Sequence, residues 1–536
     1  MPSYHQITQG ELVERLAREH PEREALIYPS RGFRMDYAGL ERRSRELAKG
    51  LVALGIGPGE RVCVWADNRP DWIPLQFALA RIGAVLVTAN TALVEAEIAY
   101  LLKQSRCSAV IAAPGIQGSE YFRALAQVVA RGEHAELRHV VTLEPGEHAD
   151  AAGPGAIALH EVVARGADVS DAEIARLTAG TRVGDAANIQ YTSGTTGFPK
   201  GVVLTHENLI ENAWTVSQVI GVGESDRLLL QVPLFHCFGC VVSVLGATTH
   251  AIPMIALERF DPLRSLEAIQ AERATLAYGV PTMFGAMLNH PRFADFDTSS
   301  LRSGIMGGAM CPAPLMRRII DEMGCGGMMA AYGLTEASPA VTMSAADDPV
   351  EVRCGTVGRA IPGVEVKIAD PETGEERAVG ERGELWARGP NIMLGYFENE
   401  GATREAITPD GWLRTGDLAT LGDDGLFRIT GRIKELIIRG GENVYPAEVE
   451  DALREHPDVV DAAVFGVPSE ELGEEVGAAL ILAEGKSLDQ EAVAAFLETR
   501  LAHFKRPRYV RVVDAFPLTS SGKVQRFRLA ERAGRK

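Results

Sequence analysis

Apolar and polar positions along this chain fall into blocks whose period changes from one region to the next. From about residue 58, short apolar runs alternate with helical stretches: "RVCVWADN", then "WIPLQFALARIG", "AVLVTAN", "EAEIAYLLKQS" and "SAVIAA". Strand–helix repetition of this kind predicts a mainly parallel sheet covered by helices. The pattern resumes after Tyr191 with strand "GVVLT", a helix from Glu207 and strand "RLLLQVP", followed by "ATLAYGVPT", "SGIMGGAM" and "MMAAYGLTE". Between about Glu351 and Thr430 the runs shorten and glycine turns separate them, as in "GELWARG" and "GLFRITGR", which predicts a β-rich subdomain. Beyond Lys434, Pro446 opens the helix "PAEVEDALREH" as a first-turn proline. Strands "VVDAAVFGV" and "GAALILAEG", the helix "DQEAVAAFLETRLAHF" and the strand "YVRVVDAFP" follow. The expected fold class is α/β. A large N-terminal domain over 1–433 holds parallel-sheet α/β subdomains and the β-rich one, and a small α+β domain fills 434–536.

Residues 228–257, "LLLQVPLFHCFGCVVSVLGATTHAIPMIAL", carry no Asp, Glu, Lys or Arg and are numerous enough to span a bilayer. Pro233, Gly239 and Pro253 interrupt the run, and Gln231, His236 and His250 are polar within it. A buried strand–helix–strand is therefore the expectation, because helix breakers and polar groups are costly in lipid.

At 536 residues the chain exceeds one ordinary core, in keeping with two or more domains. Its 72 acidic and 54 basic residues leave a formal charge of -18. That balance argues against nucleic acid or an anionic membrane as partner, since both need basic patches. The polar start "MPSYHQITQGELVERLAREHPER" lacks the apolar region of a signal peptide, so a soluble cytoplasmic protein is expected. Seven scattered cysteines fit free thiols in a reducing compartment. Cys237 and Cys240 form a C-x-x-C with no second pair to complete a zinc site, and read as small core residues.

The stretch "YTSGTTGFPKG", residues 191–201, has the ingredients of an anion cradle: glycines that let backbone N–H groups turn inward, three hydroxyls and Lys200. It is not a Walker loop, since Gly194 and Gly197 are too close, Pro199 precedes Lys200, and Gly201 replaces the Ser/Thr. Farther on stand "YGLTE" (332–336), "GWLRTGD" (411–417), "GRIKELIIRGGENVYPAEVE" (431–450) and "PLTSSGKVQR" (517–526). These five motifs, in this order, resemble the adenylate-forming enzymes: acyl-CoA synthetases, luciferases and peptide-synthetase adenylation domains. The resemblance runs from roughly residue 10 to residue 530, and within the family it is strongest to bacterial medium-chain fatty-acid–CoA ligases.

The resemblance implies ATP, Mg²⁺ and coenzyme A as cofactors, a small-molecule carboxylic acid as substrate, and two steps. The carboxylate attacks the α-phosphorus to give acyl-adenylate and pyrophosphate; the small domain then turns about the hinge at 431–434, and the thiol of coenzyme A displaces AMP. Thr192, Ser193, Gly194, Thr195, Thr196, Gly197 and Lys200 would hold the departing phosphates. Thr195 and Glu336 would hold Mg²⁺, a hard cation that takes one or two carboxylates plus phosphate oxygens. Tyr332 and Gly333 would line the adenine site, Thr335 would bond the α-phosphate, Asp417 would accept the ribose hydroxyls, and Arg432 would support both. Lys523 would bridge carboxylate and α-phosphate, a cation where two anions must meet. Lys434 stands at the pivot position, Gly440 and Gly441 would line the pantetheine tunnel, and Phe504 and Arg506 would meet the coenzyme A nucleotide.

His236 matches an aromatic gate between the ATP site and the acyl tunnel. "PLFHCFG" (233–239), "YGVPTMF" (278–284), "MGGAM" (306–310) and "YGLTEASPAV" (332–341) are implied to select the acid, with Gly308 and Ala309 also placed in the cofactor site and Met310 beside them. Peptide-synthetase relatives hold an amino group with Asp near position 236, where this chain has His236 and Cys237. An alkyl acid is the first expectation and an aryl or alicyclic acid the second. A ligase with another acyl acceptor is the alternative class. A homodimer is compatible with the resemblance.

Overall fold

A nine-stranded sheet carries most of the chain that the motifs mark. In the computed structural model, described over residues 6–116, 119–143, 152–153, 155–192, 199–309, 311–440, 442–469, 472–518 and 524–533, six of its strands run parallel as neighbours. Their order is Gly327–Gly333, Ser303–Gly307, Leu276–Gly279, Leu228–Leu230, Met254–Ala256 and Glu24–Tyr28. Antiparallel strands close both edges, with Ala340–Met343 and Arg359–Ala360 on one side and Phe33–Asp36 on the other. The strands read as near-continuous apolar runs because helices such as Pro262–Glu272 and Ala313–Asp321 cover them. Leu229, Ile255, Ala277, Met306 and Met328 belong to the core packed there.

The charge-free run 228–257 is strand, helix and strand, as expected. Leu228–Leu230 and Met254–Ala256 pair in parallel, and the helical turns Phe238–Ser243 and Val244–Thr249 lie buried between them. Among the described residues no helix is long and apolar enough to cross a membrane. Gly239 is required at its turn, since an added Cβ would lie 2.2 Å from the Pro233 carbonyl oxygen.

An eight-stranded sheet forms the second layer of this unit. Ala186–Thr192, Val85–Thr88, Arg61–Trp65, Ala109–Ala112, His139–Thr142 and Ile157–Ala158 run parallel. Lys200–Thr205 then pairs antiparallel with Ala186–Thr192, and Gly395–Tyr396 adds the edge. By compactness the chain divides into Met1–Glu365 with Ala387–Leu413, and Val366–Trp386 with Arg414–Lys536.

The second unit contains a four-stranded sheet of Glu365–Ala369, Arg382–Arg388, Leu413–Leu421 and Phe427–Arg432, the β-rich texture of the sequence. It also contains an α+β body in which Val459–Ser469, Gly473–Leu482 and Tyr509–Val512 pair side by side, with the helix Pro446–Arg454 packed near them. The helix expected over "DQEAVAAFLETRLAHF" is shorter, Gln490–Leu497. Arg506 explains the stop: its Nε donates to the Leu501 carbonyl at 3.0 Å and its Nη2 to the Glu498 carbonyl at 3.1 Å, capping the chain end where it leaves the helix.

His206 opens the helix His206–Ile220, behind the capping Thr205. Its ring is buried, and its Nδ1 accepts the Gln9 N–H at 3.3 Å. Burial pushes its pKa down to about 4, against a weaker opposing pull from Asp185. The neutral ring is the folded form, so the stability it contributes is complete above the unfolded value near 6.5 and is lost as pH falls toward 4. About 2 kcal/mol should disappear by about pH 5 from this group. Denaturant midpoints measured at pH 7.5 and 5 should show a smaller acid loss in His206→Gln than in the unaltered protein.

Candidate active site

Parallel strands deliver their carboxyl ends to one edge of a sheet, where ligands bind in open α/β folds. Gly307 pairs with Ala331 and Gly279 with Met306, so the segments that follow these strands emerge side by side. Gly308 and Ala309 follow Gly307, and Tyr332, Gly333, Thr335 and Glu336 end and follow the next strand. His236 follows Leu228–Leu230 by a few residues in the same layer.

Gly308 has φ +80°, a left-handed conformation that stops its strand, and an added Cβ would lie 3.3 Å from Val280 Cγ1. Phe238 stacks on buried Tyr278 at 6.2 Å between centroids and 12° between planes. The half-buried His236 tilts against Phe235 at 4.6 Å, and its carbonyl accepts the N–H groups of Gly239 and Cys240 at 2.9 and 3.0 Å. Apolar faces from separate strands thus meet where the acid-selecting segments were expected. Cys237 and Cys240 are buried thiols, and Gln190 donates to Cys240 Sγ at 3.2 Å. Burial raises both thiol pKa values, consistent with core residues.

Ser193, Gly194, Thr195, Thr196 and Gly197 lie outside the described residues, but the two strands that carry them are fixed. Thr192 pairs directly with Lys200, and Tyr191 with Gly201. Tyr100 donates to the Pro199 carbonyl at 3.1 Å, and Gln104 donates to the Phe397 carbonyl at 2.9 Å. These residues line a cavity of about 210 Å³ with Lys200, Gly201, Tyr396 and Asn399. Lys200 Nζ sits over the Tyr396 ring at 4.8 Å, and the Tyr396 hydroxyl donates to Glu336 Oε1 at 2.9 Å. The backbone repeats the link, since Met393 N–H donates to the Glu336 carbonyl at 2.9 Å. Burial and the Glu336 carboxylate push the Tyr396 pKa up, so the phenol stays protonated and remains a donor. Lys200 and Glu336, far apart in sequence, are therefore joined through one tyrosine, with Glu336 supplying a carboxylate beside the strand that follows the expected phosphate loop. That donor set fits Mg²⁺, which needs one or two carboxylates beside phosphate oxygens.

Within the second unit, Asp417 pairs across the sheet with Arg432, and Arg432 Nε meets Asp417 Oδ1 at 2.8 Å. Asp417 is buried and Arg432 is 47% exposed on its side chain, so the guanidinium fixes the carboxylate from its solvent side. Buried Glu384 braces the same turn, accepting the Gly416 N–H at 2.8 Å and the Trp386 indole N–H at 2.7 Å.

Lys434 is exposed in the turn Ile433–Glu435. Gly440 has φ +58° and donates its N–H to the Leu472 carbonyl at 2.8 Å. Its neighbour Arg439 pairs with Glu475 at 2.6 Å and donates to the Phe504 carbonyl at 3.3 Å. Gly440 and Phe504 are thereby brought together, whereas the Arg506 guanidinium is turned onto the carbonyls of Glu498 and Leu501. Gly441, Lys523 and Met310 lie outside the described residues.

Tyr396 and Glu384 were not found from the sequence. Alternation did carry a signal for Glu384, because it shares a strand face with Trp386 two residues on; "LGYFE" around Tyr396 carries none.

Two family models match the chain: "AMP-binding enzyme" over residues 13–397 and "AMP-binding enzyme C-terminal domain" over 448–523. The chain is 42% identical to a putative acyl-CoA synthetase, YngI, of Bacillus subtilis (strain 168), across 98% of this chain and 97% of that protein. It is 37% identical to the mitochondrial medium-chain acyl-CoA ligase ACSF2 of Rattus norvegicus, across 98% of this chain and 87% of that one. The solved structure of ATP-bound MatB from Rhodopseudomonas palustris superposes with a TM-score of 0.85 at 32% identity, across 98% and 99% of the two chains. With these matches across nearly its whole length, the chain belongs to the AMP-binding enzyme family as an AMP-forming acid–CoA ligase.

Proposed function

We propose that the acid activated is a medium-chain fatty acid. The observation that carries this reading is the chemistry of the four segments: 233–239, 278–284 and 306–310 hold no Asp, Glu, Lys or Arg, and the one charge of 332–341, Glu336, already accepts the Tyr396 hydroxyl. An acid with a second charge, such as an amino acid or dicarboxylate, would bury that charge without a partner, at a cost of several kcal/mol. The stack of Phe238 on Tyr278 offers alkyl chains a flat apolar wall. The medium-chain ligase among the relatives supports the same choice. Each methylene buried contributes about 0.8 kcal/mol, or about fourfold in kcat/KM. A pyrophosphate-release panel over linear acids of graded length, benzoates and amino acids tests this. The expected result is a stepwise rise of that size per methylene to an optimum among medium-chain acids. A maximum on benzoates or amino acids would overturn the reading.

In the proposed mechanism the acid carboxylate attacks the α-phosphorus of ATP and the bond to the β-phosphate breaks. Lys200 and the loop before it hold the departing pyrophosphate. Bound Mg²⁺ would neutralise charge on the phosphate oxygens, with Glu336 as its carboxylate. Tyr396 acts by positioning Glu336 and Lys200 together. Asp417 and Arg432 take the ribose hydroxyls. Lys523 compensates the negative charge that builds as carboxylate and phosphate meet, and Gly440 and Phe504 serve the coenzyme A side after the domain turns at 431–434. A cytoplasmic location belongs to the same reading and is supported by seven free cysteines.

Tyr396→Phe should lower kcat for adenylate formation by about tenfold to a hundredfold, the worth of a hydrogen bond to a charged group. The same variant should raise the Mg²⁺ concentration needed for half-maximal rate, while the KM for the acid stays unchanged. Lys523→Ala should slow pyrophosphate release by at least about a hundredfold. Thioester synthesis from supplied acyl-AMP should persist in that variant; an equal fall in both half-reactions would remove Lys523 from its assigned role.

A further inference from the structure

The Cys311 and Cys354 thiols lie 3.8 Å apart, sulfur to sulfur, at the rim of the main apolar core. Of the seven cysteines, Cys354 alone is not buried. It sits in the short helix Val350–Gly355, while Cys311 lies between Ala309 and the helix Ala313–Asp321. We propose that this pair is a peroxide-responsive modification site, whose disulfide ties the acid-facing loop at 308–309 to the helix Val350–Gly355 and slows the enzyme reversibly.

Accessibility and chemistry both mark Cys354 as the attacking group. The contact with the Cys311 thiol holds the Cys354 pKa below the ordinary thiol value, and the guanidinium groups of Arg353 and Arg317 add to this. Arg353 is itself fixed, donating to the carbonyls of Gly326 and Met328 at 2.9 and 2.8 Å. Its charge is therefore a permanent part of the environment. Cys311, the buried partner, has its pKa pushed up by the contact with Cys354 and by burial. A half-buried thiol of lowered pKa beside a buried partner is the arrangement of an attacking and a resolving cysteine.

With a hydroperoxide as oxidant the steps balance. The Cys354 thiolate attacks one peroxide oxygen, the O–O bond breaks, and sulfenic acid and hydroxide result; for hydrogen peroxide the hydroxide leaves as water after gaining a proton. Cys311 then loses its proton and attacks the Cys354 sulfur. The S–O bond breaks, a second water leaves, and the disulfide forms. Two thiols are oxidised as one peroxide is reduced to two waters. Closing the gap to a bond length of about 2.05 Å needs a combined movement of about 1.8 Å. Gly308, three residues before Cys311, lies so near Val280 that an added Cβ would stand 3.3 Å from its Cγ1, so a shift of this loop is carried to the segment proposed to wall the acid site.

The test is hydrogen peroxide treatment of the full chain, followed by alkylation, peptide mass mapping and AMP-release assay. The expected result is a peptide joining Cys311 to Cys354, with the loss of two hydrogens and a rate lowered by about tenfold, since a misplacement of about 1 Å costs up to about a hundredfold. Dithiothreitol should restore both. Cys354→Ser should keep the untreated rate and lose the peroxide response, while Cys311→Ser should accumulate a dimedone-reactive sulfenic acid at Cys354. Failure to find the joined peptide overturns the site. A joined peptide with an unchanged rate overturns the regulation, and this outcome does not depend on which acid is the substrate.

Discussion

Parallel pairing is the constraint on which this site depends. Strands that share a direction send every following segment to the same edge. Because Leu276–Gly279, Ser303–Gly307 and Gly327–Gly333 are parallel neighbours, residues contributed by three separate stretches of sequence emerge side by side at one edge of the sheet. A single reversed strand among them would send its segment to the opposite edge. The antiparallel strands are kept to the margins, where they close the sheet without disturbing this order.

Much of that was legible before any coordinate. The strand–helix repeats gave the parallel sheets, because a fully covered strand must be apolar along its whole length, and Val85–Thr88 and Ala109–Ala112 are buried throughout. The run 228–257 was readable as core because Pro233 and Pro253 limit any helix between them. The five motifs pointed to the family, and the matches bear that out. The Tyr396 link was not legible, since a bond joining residues sixty positions apart depends on how two sheets meet and leaves no periodic trace. The early end of the helix Gln490–Leu497 was also hidden. The helical spacing of "DQEAVAAFLETRLAHF" continues past the point where Arg506 takes the chain's carbonyls, and local propensity does not register a cap from several residues downstream.

The second unit shows another economy. Asp417 and Arg432 face each other across an antiparallel pair, so the carboxylate proposed to take the ribose is already oriented. An ion pair that exposed on one side adds little to stability. Its value lies in holding a direction, and Glu384 fixes the backbone of the same turn from the buried side.

The bond between Tyr396 and Glu336 also divides the large unit by inheritance. Lys200, Glu336, Met393 and Tyr396, the groups proposed to handle the nucleotide, are tied together, and none of them belongs to 233–239, 278–284 or 306–310, the segments proposed to face the acid. Sequence drift in those three segments can therefore retune which acid enters while the phosphate machinery stays unchanged. A family built on this seam can diversify its substrates as interchangeable cassettes around a fixed engine.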